Sequence, residues 1–233
     1  HRMLGRLVGV LFLVPLLIFK LNNYFTKSQY RNLLNIFFLI CLQGLIGWIM
    51  VKSGLVGKGD VSPYKLALHF SLAIYIIGYI YWMKLKIKFN TDENNSNAYT
   101  RLIRIIFILF FLQIILGSIS SGFTIGKTFV DNSLIILLRK IINELPYLIQ
   151  FSHILLGTIF MLTVLFLSKS LIKNDKIFNY SNTLSYVVVF QYFIGFMNLL
   201  LKSPLIISLC HQFCVMVIIL LMLKIKYMLI SDN

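Results

Sequence analysis

The stretch 102–125, LIRIIFILFFLQIILGSISSGFTI, carries one charged residue, Arg104. At about 1.5 Å of rise per residue, a helix of this length crosses the roughly 30 Å hydrocarbon core of a bilayer. A helix also satisfies its own backbone hydrogen bonds there, where no water can. Six further apolar segments flank it, at 4–19, 33–51, 66–83, 147–167, 184–201 and 204–223, the first long enough only if its helix includes residues before Leu4. Apolar residues make up 59% of the chain and charged ones 12%, outside the usual range of a soluble domain. The sequence therefore reads as an all-α polytopic membrane protein with seven spans.

A net charge of +15 would suggest nucleic acid in a soluble protein, but the basic residues here sit in the short connections between apolar segments. They read as topology determinants. Let X be the side on which the chain starts and Y the other; thirteen of the 22 Lys and Arg fall on Y, which makes Y the inner side. Cys41, Cys210 and Cys214 all lie within apolar segments, so no disulfide framework is expected, and Cys210 and Cys214 read as small packing residues. The chain opens on His1 without a signal peptide, and its N-terminus reads as cut. Of the longer connections, 84–101 with its polar run Asn90 to Asn97 reads as a flexible inner loop. The other, 126–146, has an apolar middle from Leu134 to Ile142 and reads as an interfacial helix on X.

Two markers recur. Gln-x-x-Ile/Leu-Gly occurs at Gln43 to Gly47, Gln113 to Gly117 and Gln191 to Gly195, always in a segment running from Y to X. His-x-x-Leu-Gly occurs at His1 to Gly5 and His153 to Gly157, in segments running the other way. The last four segments then present Gln113, His153, Gln191 and His211, and the first three present His1, Gln43 and His69. This order predicts two copies of a four-helix unit with the opening helix of the first copy missing. An even number of spans per unit makes the repeats parallel, related by an axis along the membrane normal. The first half-bundle covers residues 1–90 and the complete bundle residues 91–233.

All four histidines of the chain lie in apolar segments, where an ionisable group is costly. His69, His153 and His211 follow Pro63, Pro146 and Pro204 by six or seven residues. Proline favours the first turn of a helix, so each imidazole is placed roughly 9 to 11 Å below the X end of its helix. His1 can join that level if its helix extends upstream. Four imidazoles near one depth, two per bundle, predict two bis-histidine sites, His1 with His69 and His153 with His211. Carboxylates are nearly absent from the spans and there is no thiolate cluster, so two facing imidazoles suit haem iron better than zinc. Phe70, Phe151 and Phe213 are candidates to line a porphyrin.

These residues resemble a known family, haem A synthase. The resemblance runs through His1-Arg2-Met3-Leu4-Gly5-Arg6, then Gln43-Gly44-Leu45-Ile46-Gly47-Trp48 to Leu55, and Val61-Ser62-Pro63-Tyr64-Lys65-Leu66 leading to His69. It continues more loosely at Leu112 to Gly117, Phe151-Ser152-His153 and Leu209-Cys210-His211-Gln212. It implies eight helices, with haem b as cofactor on His153 and His211. It also implies haem O as substrate, its iron held by catalytic His1 and His69 while a ring methyl is oxidised to formyl to make haem A for cytochrome c oxidase. Membrane lipid and haem O synthase are the implied partners, nucleic acid has no place, and the electron donor and any homo-oligomer stay open. The lack of loop cysteines resembles the mitochondrial and proteobacterial branch, so a bacterial or mitochondrial inner membrane is implied. The sequence departs from the family in two places. The acidic residue that precedes the His1 position falls outside this chain, and Lys127-Thr128-Phe129-Val130 stands where Asn-x-Phe-Pro is usual. The alternative is a bis-histidine membrane cytochrome b that transfers electrons without a substrate haem. A transporter or structural protein, its histidines serving as relay or packing groups, would hold no haem.

Overall fold

The computed structural model describes residues 2–55, 61–88, 98–130, 133–171 and 175–231; His1 and the run Asn90 to Asn97 lie outside the described residues. Within them the chain is all-α: α1 (Arg2–Leu21), α2 (Lys27–Leu55), α3 (Pro63–Lys88), α4 (Ala98–Gly122), α5 (Leu134–Asn143), α6 (Leu145–Ser170), α7 (Asp175–Leu200) and α8 (Leu205–Ser231). A single 3-10 turn, Ile125–Lys127, follows α4. Every helix except α5 is long and apolar enough to cross a membrane, giving the seven spans expected.

The spans run further than the apolar segments do. α2 starts at Lys27 rather than near 33, and α8 continues to Ser231 rather than 223. The added residues include Lys27, Tyr30, Arg31, Lys224, Lys226 and Tyr227 at the Y ends, where long basic and aromatic side chains can stretch toward the headgroups. Their ammonium groups settle on aromatic faces: Lys224 lies 5.7 Å from the Tyr227 ring centroid and 5.6 Å from that of Tyr180, and Lys226 lies 4.9 Å from that of Trp82.

Helices α4, α6, α7 and α8 close into a ring. α4 and α7 each touch both α6 and α8, whereas neither α6 and α8 nor α4 and α7 touch directly. The two histidine-bearing helices of this unit, α6 and α8, therefore stand on one diagonal. α3 packs outside the ring against α4 and α8, and α2 and then α1 extend the layer from it. Below the histidine level toward Y, the ring is filled by Ile103, Ile106, Val164, Leu167, Leu184, Ile218, Met222 and Ile225, joined from α3 by Ile74 and Leu85. In lipid, with little hydrophobic drive between helices, dispersion contacts of this kind hold the unit together.

The first three helices contact one another in the same order as α6, α7 and α8, α1 on α2 and α2 on α3. Aligned on His69 and His211, Ile80 falls on Met222, Met83 on Ile225 and Ile87 on Leu229; aligned on Gln43 and Gln191, Ile36 falls on Leu184. Met222, Ile225, Leu229 and Leu184 are core residues of the ring. Their counterparts, with Phe12 of α1, instead line an apolar cavity of about 530 Å³.

The segment Leu134 to Ile142 forms the expected short helix. Leu137 and Ile141 of α5 pack with Ile125, Phe129 and Tyr147 over the X end of α6, while Leu134, Ile135 and Ile142 stay exposed, as on a helix lying in the membrane interface. Lys140 donates to the Tyr147 hydroxyl at 3.2 Å and lies over the same ring, tying α5 to α6.

Where α3 starts and α4 ends, backbone lies close against backbone. A Cβ placed on Gly122 would meet the backbone Cα of Pro63 at 2.6 Å. Gly122→Ala is expected to pry these ends apart at a cost of about 1 to 3 kcal/mol, read as a lower unfolding midpoint in detergent. An unchanged midpoint would show that the contact is not needed.

Candidate functional site

Each described histidine sits opposite a Gln-x-x-x-Gly segment of a neighbouring helix. His69 of α3 faces Gln43 and Gly47 of α2, His153 of α6 faces Gln113 and Gly117 of α4, and His211 of α8 faces Gln191 and Gly195 of α7. The residue spacing explains the pairing: Gln and Gly four apart share one helix face, so one neighbour is met by both.

The glycine makes room for the ring. A Cβ on Gly47 or Gly195 would lie 2.9 Å from the facing imidazole Cε1, and one on Gly117 would lie 2.6 Å from that of His153. No real Cβ approaches so closely, so the missing side chain is the cradle in which each imidazole lies. The reciprocal contact also occurs: a Cβ on Gly157, in the His-x-x-Leu-Gly marker, would meet Gln113 Nε2 at 2.8 Å.

The glutamine holds the histidine. Gln43 Nε2 donates to the His69 carbonyl oxygen at 3.0 Å and lies 3.2 Å from His69 Nε2. Gln113 Nε2 donates to the His153 carbonyl oxygen at 2.9 Å, and Gln191 Nε2 lies 3.2 Å from His211 Nε2. Nearer X, Ser120 of α4 donates to buried Gln150 of α6, and Ser208 of α8 donates to Asn198 Oδ1 of α7 at 3.0 Å. Several polar bonds between helices thus lie around and above the histidines, while Tyr99 of α4 donates to the Ser170 carbonyl of α6 at the Y end.

Seven buried side-chain nitrogen or oxygen atoms among the described residues have no hydrogen-bond partner, and six belong to these three pairs: Nδ1 of His69, His153 and His211, and Oε1 of Gln43, Gln113 and Gln191. Buried polar atoms are nearly always satisfied, so such a concentration marks a place built for something else. His153 and His211 stand on the two helices that form one diagonal of the ring. Among the described residues, no three of His, Cys, Asp or Glu come together to form a metal-binding group. A pair of opposed imidazoles with no thiolate or carboxylate fits a porphyrin iron, which supplies its own four nitrogens, and does not fit tetrahedral zinc.

The structure thus places His153 and His211 on diagonal helices of one ring and gives His69 the same kind of surroundings. His1 lies outside the described residues, so its pairing with His69 stays with the sequence. Two expectations change. Phe151 and Phe213 are exposed and do not line the site, because two positions along a helix turn about 200°, putting each on the face opposite its histidine. Phe70 packs against the buried core. The glutamines and glycines, legible in sequence only as repeat markers or small-residue packing, are parts of the site; their recurrence at one offset was the signal. Cys41, Cys210 and Cys214 are free thiols, as expected of their placement.

Residues 1–223 match the sequence profile of the COX15-CtaA family, described as cytochrome oxidase assembly protein. The chain is 34% identical to "Heme A synthase" of Pelagibacter ubique over 91% of its own length and 66% of that protein. It is 30% identical to "Heme A synthase" of Ehrlichia ruminantium strain Gardel, again over 91% of its length and 64% of the relative's. It is 29% identical to that of Flavobacterium johnsoniae, over 91% and 67%. The chain thus spans slightly under two thirds of the length of the first two relatives. No solved structure matches it. On the profile match over nearly its whole length, together with relatives aligned over 91% of it, the chain belongs to the COX15-CtaA family of cytochrome oxidase assembly proteins.

Proposed function

We propose that the chain carries the membrane core of a haem A synthase, oxidising a ring methyl of haem O to a formyl group to make haem A for cytochrome c oxidase. One observation carries the reading furthest: His153 and His211 stand on diagonal helices of a closed four-helix ring, each cradled by a glycine of a neighbouring helix. Those two imidazoles would hold haem b, which supplies one-electron redox chemistry when bound.

His69, with the same glutamine and glycine around it, would hold the substrate iron together with His1. The first three helices offer an open apolar side at which a fourth helix, from polypeptide outside residues 1–233, would complete a second ring. With Y as the inner side, both iron sites lie toward the outer face of a bacterial or mitochondrial inner membrane. Haem O synthase is then the natural supplier of substrate, since haem O is too apolar to diffuse freely through water.

The electron-transfer cytochrome is the second reading, favoured by the near-identical surroundings of His69 and His211, which do not by themselves distinguish a substrate site from a cofactor site. Expression of the protein in a membrane that supplies haem O, followed by extraction and mass identification of the haems, separates the two. Haem A formed only when the protein is present supports the synthase. Bound haem b with no haem A over time contradicts it.

A further inference from the structure

Beyond holding the backbone, Gln43 and Gln191 do something to the imidazoles themselves. The orientation of the Gln43 amide is settled by its neighbour, because the His69 carbonyl oxygen accepts only, so the group 3.0 Å from it is the NH2. That same NH2 lies 3.2 Å from His69 Nε2 and also donates there. An atom that accepts carries no proton, so the proton of His69 is on Nδ1. Gln191 presents its amide nitrogen to His211 Nε2 at the same distance, and His211 Nδ1 is unpartnered just as His69 Nδ1 is.

Iron binds the unprotonated nitrogen, and which nitrogen that is depends on the bond made by the other groups around the ring. We infer that Gln43 and Gln191 are positioning residues that hold His69 and His211 in the Nδ1-H form, so that Nε2 is the unprotonated nitrogen at which iron would replace the amide. The inference rests on the haem reading above for its purpose but not for its geometry. Nε2 of each histidine would hold the iron in place of the amide hydrogen bond. Gln43 keeps its hold on the His69 carbonyl, so the ring is released without its helix being freed. Gln113 bonds the His153 carbonyl in the same way and needs only the anchoring half of the device.

Solid-state NMR of the haem-free protein, labelled with 15N at histidine, reads the tautomers directly. Nδ1-H is expected for His69 and His211. In Gln191→Leu, close to glutamine in size, His211 is expected to become a mixture of the two forms. In Gln191→Glu, a carboxylate that can only accept should draw the proton to Nε2, and haem titrated into that variant should bind at least tenfold more weakly, with a high-spin spectrum. Nε2-H at His211 in the unmodified protein, or Gln191→Glu with unchanged tautomer and unchanged haem binding, would overturn the inference. Nδ1-H in a protein that binds no haem would leave the tautomer assignment standing and remove the haem reading instead.

Discussion

His211→Ala is expected to strip the haem from the four-helix ring, weakening its binding about a hundredfold or more, and His153→Ala should do the same. Loss of a ligand outweighs loss of a supporting hydrogen bond, which itself typically costs tenfold to a hundredfold. His211 and His153 stand on diagonal helices, and among the described residues no cysteine or carboxylate forms a metal-binding group of three with them. The haem-to-protein ratio of the purified variant, measured after conversion to the pyridine complex, is the readout, with helix content by circular dichroism as the check on folding. Both variants retaining full haem at unchanged ratio would show that these imidazoles are not the ligands.

Gly117→Ala is expected to be almost as damaging although it touches no ligand atom chemically. Its Cβ would lie 2.6 Å from His153 Cε1 and 3.2 Å from both ring nitrogens, so the imidazole must leave its cradle or the α4–α6 contact must open. Either way the ring moves by several tenths of an ångström at least, which an iron-nitrogen bond does not tolerate. Haem binding should fall at least tenfold, and the effect should exceed that of Gly195→Ala, whose Cβ would stand 2.9 Å away. Gly44→Ala is the control: nothing lies within 4 Å of its Cβ, and no loss is expected. Equal loss in both glycine classes would mean that general helix packing, and not the cradle, is being measured.

Much of this was legible in the sequence because a membrane leaves few choices. Lipid forces helices, so seven apolar segments become seven spans, and a proline before each of three histidines marks where those helices begin. The depth of His69, His153 and His211 follows from that counting alone. What counting does not give is which helices are neighbours. The diagonal of α6 and α8, the seating of α3 against α4 and α8, and the contact of Gly122 with Pro63 depend on interhelical packing, which no single-helix periodicity records. Phe151 and Phe213 looked close to histidines because they are two residues away in the chain; the helix turns them to the opposite face. The glutamines were visible as a recurring pattern, and only their distances to the imidazoles turned that pattern into a role.

The central claim is that opposed histidines in this bundle hold haem, and an optical reduced-minus-oxidised spectrum of the detergent-purified protein, with its pigment extracted and identified by mass, tests it most directly. Low-spin bis-histidine haem b, accompanied by haem O or haem A, is the predicted result. A colourless protein after expression with ample haem would contradict it.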